Sequence, residues 1–206
     1  AAMPRTIFSA FIVAALLVAS VEPFAAPSAA GEIMAAHPQP DSAVVKPGLS
    51  VKYYIERFNH IDEVINAATW MKPVRGEPLP MLNYNVGAGP VLTNKNDDLV
   101  GAFIQGYIKI DKPGTYLFSV QHNDGVRVWV GNEMIYDAPF VAPDTWSPNL
   151  EVVASEAGWY PLRMIYYEKK STATLELYWQ APGAASFEFV PAAAFGHIPG
   201  EDDKTS

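Results

Sequence analysis

Residues 114–130 read GTYLFSVQHNDGVRVWV and contain the clearest structural pattern in the chain. Apolar side chains occupy every second position on both sides of the central Asn-Asp-Gly: Tyr116, Phe118 and Val120 before it, Val126, Val128 and Val130 after it. A period of two is the pattern of a β-strand that buries one face. Asn, Asp and Gly favour the backbone angles of tight turns. The stretch therefore predicts two antiparallel strands joined by a turn.

The same alternation recurs on both sides of this pair of strands. It is present in residues 102–110, 162–167 and 174–179, and Gly, Pro, Asn or Asp residues separate the runs. Helical spacing of apolar residues is confined to residues 61–71. Many short strands with turn residues between them are typical of antiparallel sheets packed on one core. We therefore predict an all-β fold, a sandwich or a barrel, with one short helix.

Length and composition limit the function classes. The chain has 206 residues, enough for one domain with short extensions. Half of the residues are hydrophobic and 17% are charged, which favours a folded core over a disordered chain. The formal net charge of -8 argues against binding to nucleic acid or to an anionic membrane surface. The sequence has no cysteine, which excludes disulfides, thiolate catalysis and cysteine-ligated zinc.

The first 30 residues have the layout of a secretory signal peptide. Arg5 supplies a positive charge, residues 7–21 form an uncharged apolar run, and small residues lead to Ala30. We expect cleavage after Ala30 and an exported protein in the periplasm, outside the cell or at its surface. The alternative is that the segment is retained as a membrane anchor.

The rest of the chain divides into three parts. Residues 31–47 contain three prolines and little periodicity, so we expect a linker there. Residues 48–198 contain the strand pattern and are expected to form the domain. Residues 199–206 are polar and mostly acidic and are expected to form a tail.

No arrangement typical of an active site occurs in the sequence. The four histidines are scattered, and neither a nucleophile elbow nor a phosphate-binding P-loop is present. The acidic residues offer no pair that stands apart from the others as glycosidase carboxylates would. We therefore expect a protein that is not an enzyme.

Two loops and one aromatic residue could have either a structural or a binding role. Residues 122–125 form either a simple hairpin turn or a site whose oxygen atoms bind a hard cation such as calcium. The acidic loop at residues 94–98 is expected to be a solvated turn. Trp146 lies between two prolines and either stacks on a sugar ring or is buried in the core.

A series of short sequence pieces resembles the PA14 domain, a module first described in anthrax protective antigen. The pieces are GLSVKYY at 48–54, GYI at 106–108, PGTYLFS at 113–119, NDGVRVWV at 123–130, AGWYPLR at 157–163, IYYE at 165–168, LELYW at 175–179, APG at 181–183 and VPA at 190–192. Each piece is short, but their order and spacing extend over residues 48–198.

The resemblance implies a PA14-type β-sandwich or barrel and a specific kind of site. In lectin members of the family, two adjacent aspartates joined by a cis peptide bond bind calcium, a second loop completes the site, and sugar hydroxyls coordinate the ion. The matching residues here are Asn123, Asp124 and, in the second loop, Glu168. Asn123 replaces one aspartate, and Lys169 and Lys170 place two positive charges beside the implied Ca²⁺.

The resemblance implies an exported, non-catalytic module that binds a glycan or polysaccharide at the cell envelope. Ca²⁺ is the implied cofactor, and His122, Trp146 and Lys169 are the residues expected to contact the ligand. The alternative is a structural subunit of an exported complex, which would bind an envelope protein through a sheet face or through residues 31–47.

Overall fold

The computed structural model describes residues 31–201, which form two β-sheets, one α-helix and one 3-10 helix. The strands, numbered in chain order, are β1 Gly31–Ile33, β2 Lys46–Pro47, β3 Ser50–Ile55, β4 Val74–Arg75, β5 Asn83–Gly87, β6 Val100–Ile110, β7 Gly114–Asn123, β8 Val126–Val130, β9 Glu133–Ala138, β10 Thr145–Trp146, β11 Leu150–Ala154, β12 Gly158–Glu168, β13 Ala173–Gln180, β14 Glu188–Phe189 and β15 Phe195–His197. Helix α1 is Ile61–Ala67, and the 3-10 helix is Ala192–Ala194.

The strands are distributed over two sheets. Sheet A has the order β1-β11-β7-β13-β14, with β10 beside β7 and β5 beside β13. Sheet B has the order β2-β15-β6-β12-β8-β9, with β3 beside β6 and β4 beside β3. Within residues 31–201, β1 and β11 run parallel and the other paired strands run antiparallel.

The main core lies between the facing sides of the two sheets. The alternating side chains of residues 114–130 point into it, since Phe118 and Val120 of sheet A and Val128 of sheet B are all buried there. Burying one such side chain stabilises a fold by about 1.5–3 kcal/mol. The prediction of an all-β fold, a sandwich or a barrel, is confirmed, and the two packed sheets form a sandwich.

Helix α1 covers part of the outer face of sheet B. His60 caps it, because its Nδ1 accepts a hydrogen bond from a backbone N–H of the first turn. The buried side of the helix packs against Ile165 and Tyr167 in a second hydrophobic cluster. The helix ends at Ala67, and residues 68–71, which were included in the predicted helix, form turns.

Residues 31–47 belong to the domain rather than to a linker. The three residues of β1 extend the edge of sheet A by pairing with Val152–Ala154, and β2 pairs with β15 in sheet B. Ile33 is 1% exposed and lies in the main core. Strands of two or three residues are too short to show a hydrophobic period, so the sequence pattern could not reveal them.

The two ends of the chain were assigned from sequence to a signal peptide and a tail. The tail begins in the described part, where the Tyr107 hydroxyl donates to the carboxylate of Glu201 at 2.9 Å. The predicted signal peptide, residues 1–30, and residues 202–206 lie outside the described residues. Across residues 31–201, no helix combines the length and apolar character needed to cross a membrane.

The role of β1 can be tested by truncating its buried side chain. We expect Ile33→Ala to lower the free energy of unfolding by about 2–5 kcal/mol, because it leaves a cavity in the core. The neighbouring Met34 is 58% exposed, so Met34→Ala should change stability by less than about 0.5 kcal/mol. Urea denaturation of both variants measures this, and equal stabilities would show that β1 does not belong to the cooperative core.

Candidate functional site

The turn between β7 and β8 connects the two sheets at one edge of the sandwich. Asn123 ends β7 in sheet A, and Val126 begins β8 in sheet B. The peptide bond between Asn123 and Asp124 is cis, as the resemblance to lectin-type PA14 domains implies. Gly125 follows, and a Cβ at this position would clash with the ring of Tyr167. Only glycine therefore fits at this point of the turn.

Backbone hydrogen bonds attach this turn to the end of β12. The amide of Asp124 donates to the Tyr167 carbonyl at 3.1 Å, and the amide of Tyr167 donates to the Gly125 carbonyl at 3.0 Å. The buried hydroxyl of Tyr166 also donates to the carbonyl of Asn123. These contacts bring the turn next to Glu168, the last residue of β12.

The carboxylate of Asp124 is held by two backbone groups. The amide of Ala142 donates to Oδ1 at 3.1 Å, and the amide of Lys169 donates to Oδ2 at 2.9 Å. Burial raises the pKa of Asp124, while the two N–H groups and the Lys169 charge act in the opposite direction. Each carboxylate oxygen keeps a further lone pair that can bind a cation.

Within residues 31–201, the only hydrogen-bond donors close to the carboxylate of Glu168 are the backbone groups of Leu99 and Lys170, and neither contact has full hydrogen-bond geometry. Its side chain is 0% exposed, and neither Oε1 nor Oε2 has a hydrogen-bond partner among the described residues. Burial, with the nearby charges of Asp98 and Asp124, raises the pKa of Glu168 to about 7. A buried carboxylate without a partner is costly and rare, so each case needs an explanation.

Asn123 and the loop after β12 complete the surroundings. The Asn123 amide nitrogen donates to Thr172 Oγ1 at 3.0 Å and to Asp144 Oδ1 at 3.3 Å. Asp98, from the loop predicted to be a solvated turn, is exposed and accepts a 2.7 Å hydrogen bond from the amide of Ser171. Three loops therefore meet around the turn and supply oxygen atoms to it.

This arrangement suits a hard cation that prefers oxygen ligands. Calcium binds carboxylate, amide and backbone carbonyl oxygens, and the two orphaned oxygens of Glu168 lie next to Asp124. No group of three or more His, Cys, Asp or Glu residues able to hold a metal exists within residues 31–201. A cation here would rely on the carboxylates of Asp124 and Glu168 together with the amide of Asn123 and other oxygen atoms.

The three residues expected to contact a ligand occupy different environments. Trp146 is 53% exposed. It lies opposite Gln121 of β7, and Gln121 is two positions before Asn123. Lys169 is half-buried beside Asp124. His122 is fully buried beneath the turn and has no exposed surface with which to contact a ligand.

His122 instead positions the turn from below. Its Nδ1 lies against the Asp124 carbonyl, and its Nε2 is 3.0 Å from the Tyr136 hydroxyl. A carbonyl can only accept, so Nδ1 holds the ring proton and Nε2 accepts from Tyr136. Burial lowers the pKa of His122 and favours this neutral form.

The sequence analysis did not identify the loop at residues 139–144. Ala142 of this loop holds Asp124, and Phe140 beside it is 67% exposed. An exposed phenylalanine at the edge of the site offers an apolar surface to a ligand. The loop has no periodicity and two prolines, so only the three-dimensional structure brings it to the turn.

The raised pKa of Glu168 predicts an unusual pH dependence of stability. The carboxyl group of Glu168 stays protonated up to about pH 7 in the folded protein. In the unfolded chain it loses its proton near its ordinary pKa of 4.5. The folded state therefore binds more protons between these values, and its stability falls as pH rises through that window. In the presence of a chelator, Glu168→Gln should abolish this loss of stability with rising pH. The variant should then be more stable than the wild type at pH 8 by up to about 3 kcal/mol.

Urea denaturation of both proteins in chelator at pH 5 and pH 8 measures this effect. The exposed Glu151 provides a matched control, because Glu151→Gln removes one carboxylate of the same kind and should leave the pH dependence unchanged. A Glu168→Gln variant with the wild-type pH dependence would show that Glu168 ionises normally.

Comparison with known proteins identifies the family. The sequence model of the PA14 domain matches residues 87–191, just over half of the 206-residue chain. The comparison with curated proteins gives no match.

The fold is similar to solved PA14 domains. The PA14 domain of the antifreeze protein MpAFP matches with a TM-score of 0.63 and 16% identity, over 77% of this chain and 93% of that one. A PA14 sugar-binding domain from an RTX adhesin matches with a TM-score of 0.57 and 14% identity, over 73% and 98%. The A domain of epithelial adhesin 9 from Candida glabrata, in complex with Galβ1-3GlcNAc, matches with a TM-score of 0.62 and 12% identity, over 82% and 96%. With the family model covering half of the sequence and the sandwich matching these domains, the chain is a member of the PA14 domain family.

Proposed function

We propose that this protein is a non-catalytic carbohydrate-binding module whose site is the turn at residues 123–125 together with Glu168. The observation that carries the proposal is the buried Glu168 carboxylate, which forms no hydrogen bond of full geometry and lies close enough to Asp124 for the two charges to repel. A cation at this position would neutralise both carboxylates and supply the missing partner.

Calcium is the cation that these residues suit best. Asp124 and Glu168 would hold it through carboxylate oxygens, and Asn123 through its amide oxygen. When bound, calcium supplies open coordination positions for the hydroxyl groups of a sugar. The replacement of an aspartate by Asn123 removes one negative charge, so we expect a weaker calcium site than one with two adjacent aspartates.

The solved relatives support a glycan as the ligand. The adhesin domain from Candida glabrata is in complex with Galβ1-3GlcNAc, and the RTX adhesin domain is described as sugar-binding. In the present chain, the exposed rings of Trp146 and Phe140 lie near the turn. Aromatic faces of this kind would pack against the apolar side of a sugar, while the Lys169 ammonium could donate to its hydroxyls.

The location of the protein is part of the same proposal. A signal peptide at residues 1–30 would export the chain, and the resulting place of action is the cell envelope or the outside of the cell. Binding of an envelope protein instead of a glycan is the competing outcome.

The proposed site can be tested by calorimetry on the full chain. We expect calcium to bind with an affinity in the micromolar to millimolar range, and both Asp124→Asn and Glu168→Gln should weaken it at least about tenfold, since each removes one ligand charge. Glu151→Gln, an acidic change outside the site, should leave the affinity unchanged.

A glycan array probed with and without chelator then tests the ligand class. Glycan binding that requires calcium and is lost in Asp124→Asn supports the proposal. No heat with calcium, together with retention of a stoichiometric envelope protein and no glycan, would favour the protein-interaction alternative.

Trp146 provides a way to separate sugar contact from ion binding. The Trp146 ring is 5.2 Å from the Tyr178 ring and has no contact with Asp124 or Glu168 among the hydrogen bonds and ring pairs of the described residues. We expect Trp146→Ala to weaken glycan binding by about 1–2 kcal/mol and to leave calcium affinity unchanged. Calorimetry with each ligand measures both values, and a variant that binds the glycan normally would remove Trp146 from the site.

A further inference from the structure

A second concave surface lies on the outer face of sheet B, away from the turn. Four adjacent strands form its floor, with Trp129 of β8, Arg163 of β12, Gln105 of β6 and Ser50 of β3 side by side in register. The C-terminal residues 197–201 form one side of it. The cavity has a volume of about 640 Å³, which is within the range of small-molecule binding sites.

The positive charge of Arg163 is the distinctive feature of this cavity. Its guanidinium lies 3.9 Å from the centre of the Trp129 ring, a cation–π contact that fixes its position. No carboxylate of residues 31–201 forms an ion pair with it. Burial lowers the pKa of Arg163, and no acidic neighbour opposes this effect. A protein of net charge -8 therefore presents one exposed cation, without an ion pair among residues 31–201, on the floor of this concave surface.

The nearby Arg127 shows the contrasting situation. It also lies over Trp129, at 6.0 Å, but its guanidinium donates to Asp137 and Asp62 at 2.8–3.0 Å. Arg127 thus has its negative partners within the protein, whereas the exposed guanidinium of Arg163 remains available to an anion from solution. The two-pronged guanidinium matches the two oxygens of a carboxylate.

The rest of the cavity offers groups that suit a polyhydroxylated molecule. Gln105 is half-buried, and its amide can both donate and accept. His197 donates from Nδ1 to the Gly48 carbonyl at 2.9 Å, which leaves Nε2 free to form a hydrogen bond with a ligand. At the far side, the Tyr107 hydroxyl holds Glu201, so the negative charge there is already hydrogen-bonded.

We propose that this cavity is a second binding site, specific for a sugar that bears a carboxylate, such as a uronic acid. The carboxylate pairs with Arg163 while Trp129 supports the guanidinium from below, and ring hydroxyls bond to Gln105 and His197. The carboxylate of Glu201 at its side accepts from the Tyr107 hydroxyl, and the site works without calcium. It is therefore independent of the function proposed for the turn.

The experiment compares two saccharides that differ in the carboxylate. The full chain, in chelator, is titrated with trigalacturonate and with the neutral galactose trimer, and binding is followed by calorimetry and by the NMR signal of the Trp129 indole. We expect the acidic trimer to bind at least about tenfold more tightly than the neutral one, because a charge-assisted pair contributes more than a neutral hydrogen bond.

Three variants test whether Arg163 causes the tighter binding of the acidic trimer. Arg163→Gln should lower the affinity for trigalacturonate at least about tenfold, and Arg163→Lys, which keeps the charge but not the planar fork, should lower it less. Lys109→Gln is the matched control, because it removes one positive charge from the same sheet at a residue outside the cavity that pairs with Asp111. It should leave the affinity unchanged.

Several results would overturn the proposal. They are equal affinity for the two trimers, no binding up to about 10 mM, unchanged affinity in both Arg163 variants, or an equal loss in Lys109→Gln. Binding that disappears in chelator or in Asp124→Asn would also overturn it, because the acidic sugar would then occupy the turn instead. Circular dichroism confirms that each variant is folded.

Discussion

The pairing of β6 with β12 forms the centre of sheet B, to which β3, β15 and β8 add on either side. The two strands are paired over eleven residues, from Ile110 opposite Gly158 to Val100 opposite Glu168. A shift of one residue would turn every side chain of β12 to the opposite face of the sheet. The register therefore decides at once that Met164 enters the core, that Arg163 faces outward, and that Glu168 ends beside the turn at Asp124.

The carboxylate of Glu168 illustrates how a binding site can oppose stability. Its charged form is unfavourable, because burial removes water and the neighbouring acids repel it. A cation would reverse both effects. If the proposed cation binds, the group that weakens the protein on its own would couple its stability to that ion, since ligand binding to the folded state adds to its stability.

Much of the architecture could be predicted from the sequence, for reasons that lie in individual residues. The alternation in residues 114–130 is strong because one face of each strand is fully buried, and the turn residues between the runs mark the strand ends. The association of Asp124 with Glu168 came from the resemblance to PA14 domains, since 44 positions separate the two and no local pattern connects them. The role of residues 31–47 and of Phe140 could not be predicted, because very short strands and irregular loops have no period. The contact of Arg163 with Trp129 could not be predicted either, because it depends on the register between β8 and β12.

The parallel pairing of β1 with β11 has a consequence for the order of events when the chain is made. Gly31 is opposite Val152, and Ile33 is opposite Ala154. A ribosome releases the N-terminal residues first. The residues of β1 therefore have no strand to pair with until more than a hundred further residues, including β11, have emerged. During this interval Ile33 is an apolar residue with no core to enter, and the segment is open to other strand edges. The first strand of the domain therefore takes its place in sheet A only after β11, in the second half of the chain, is available.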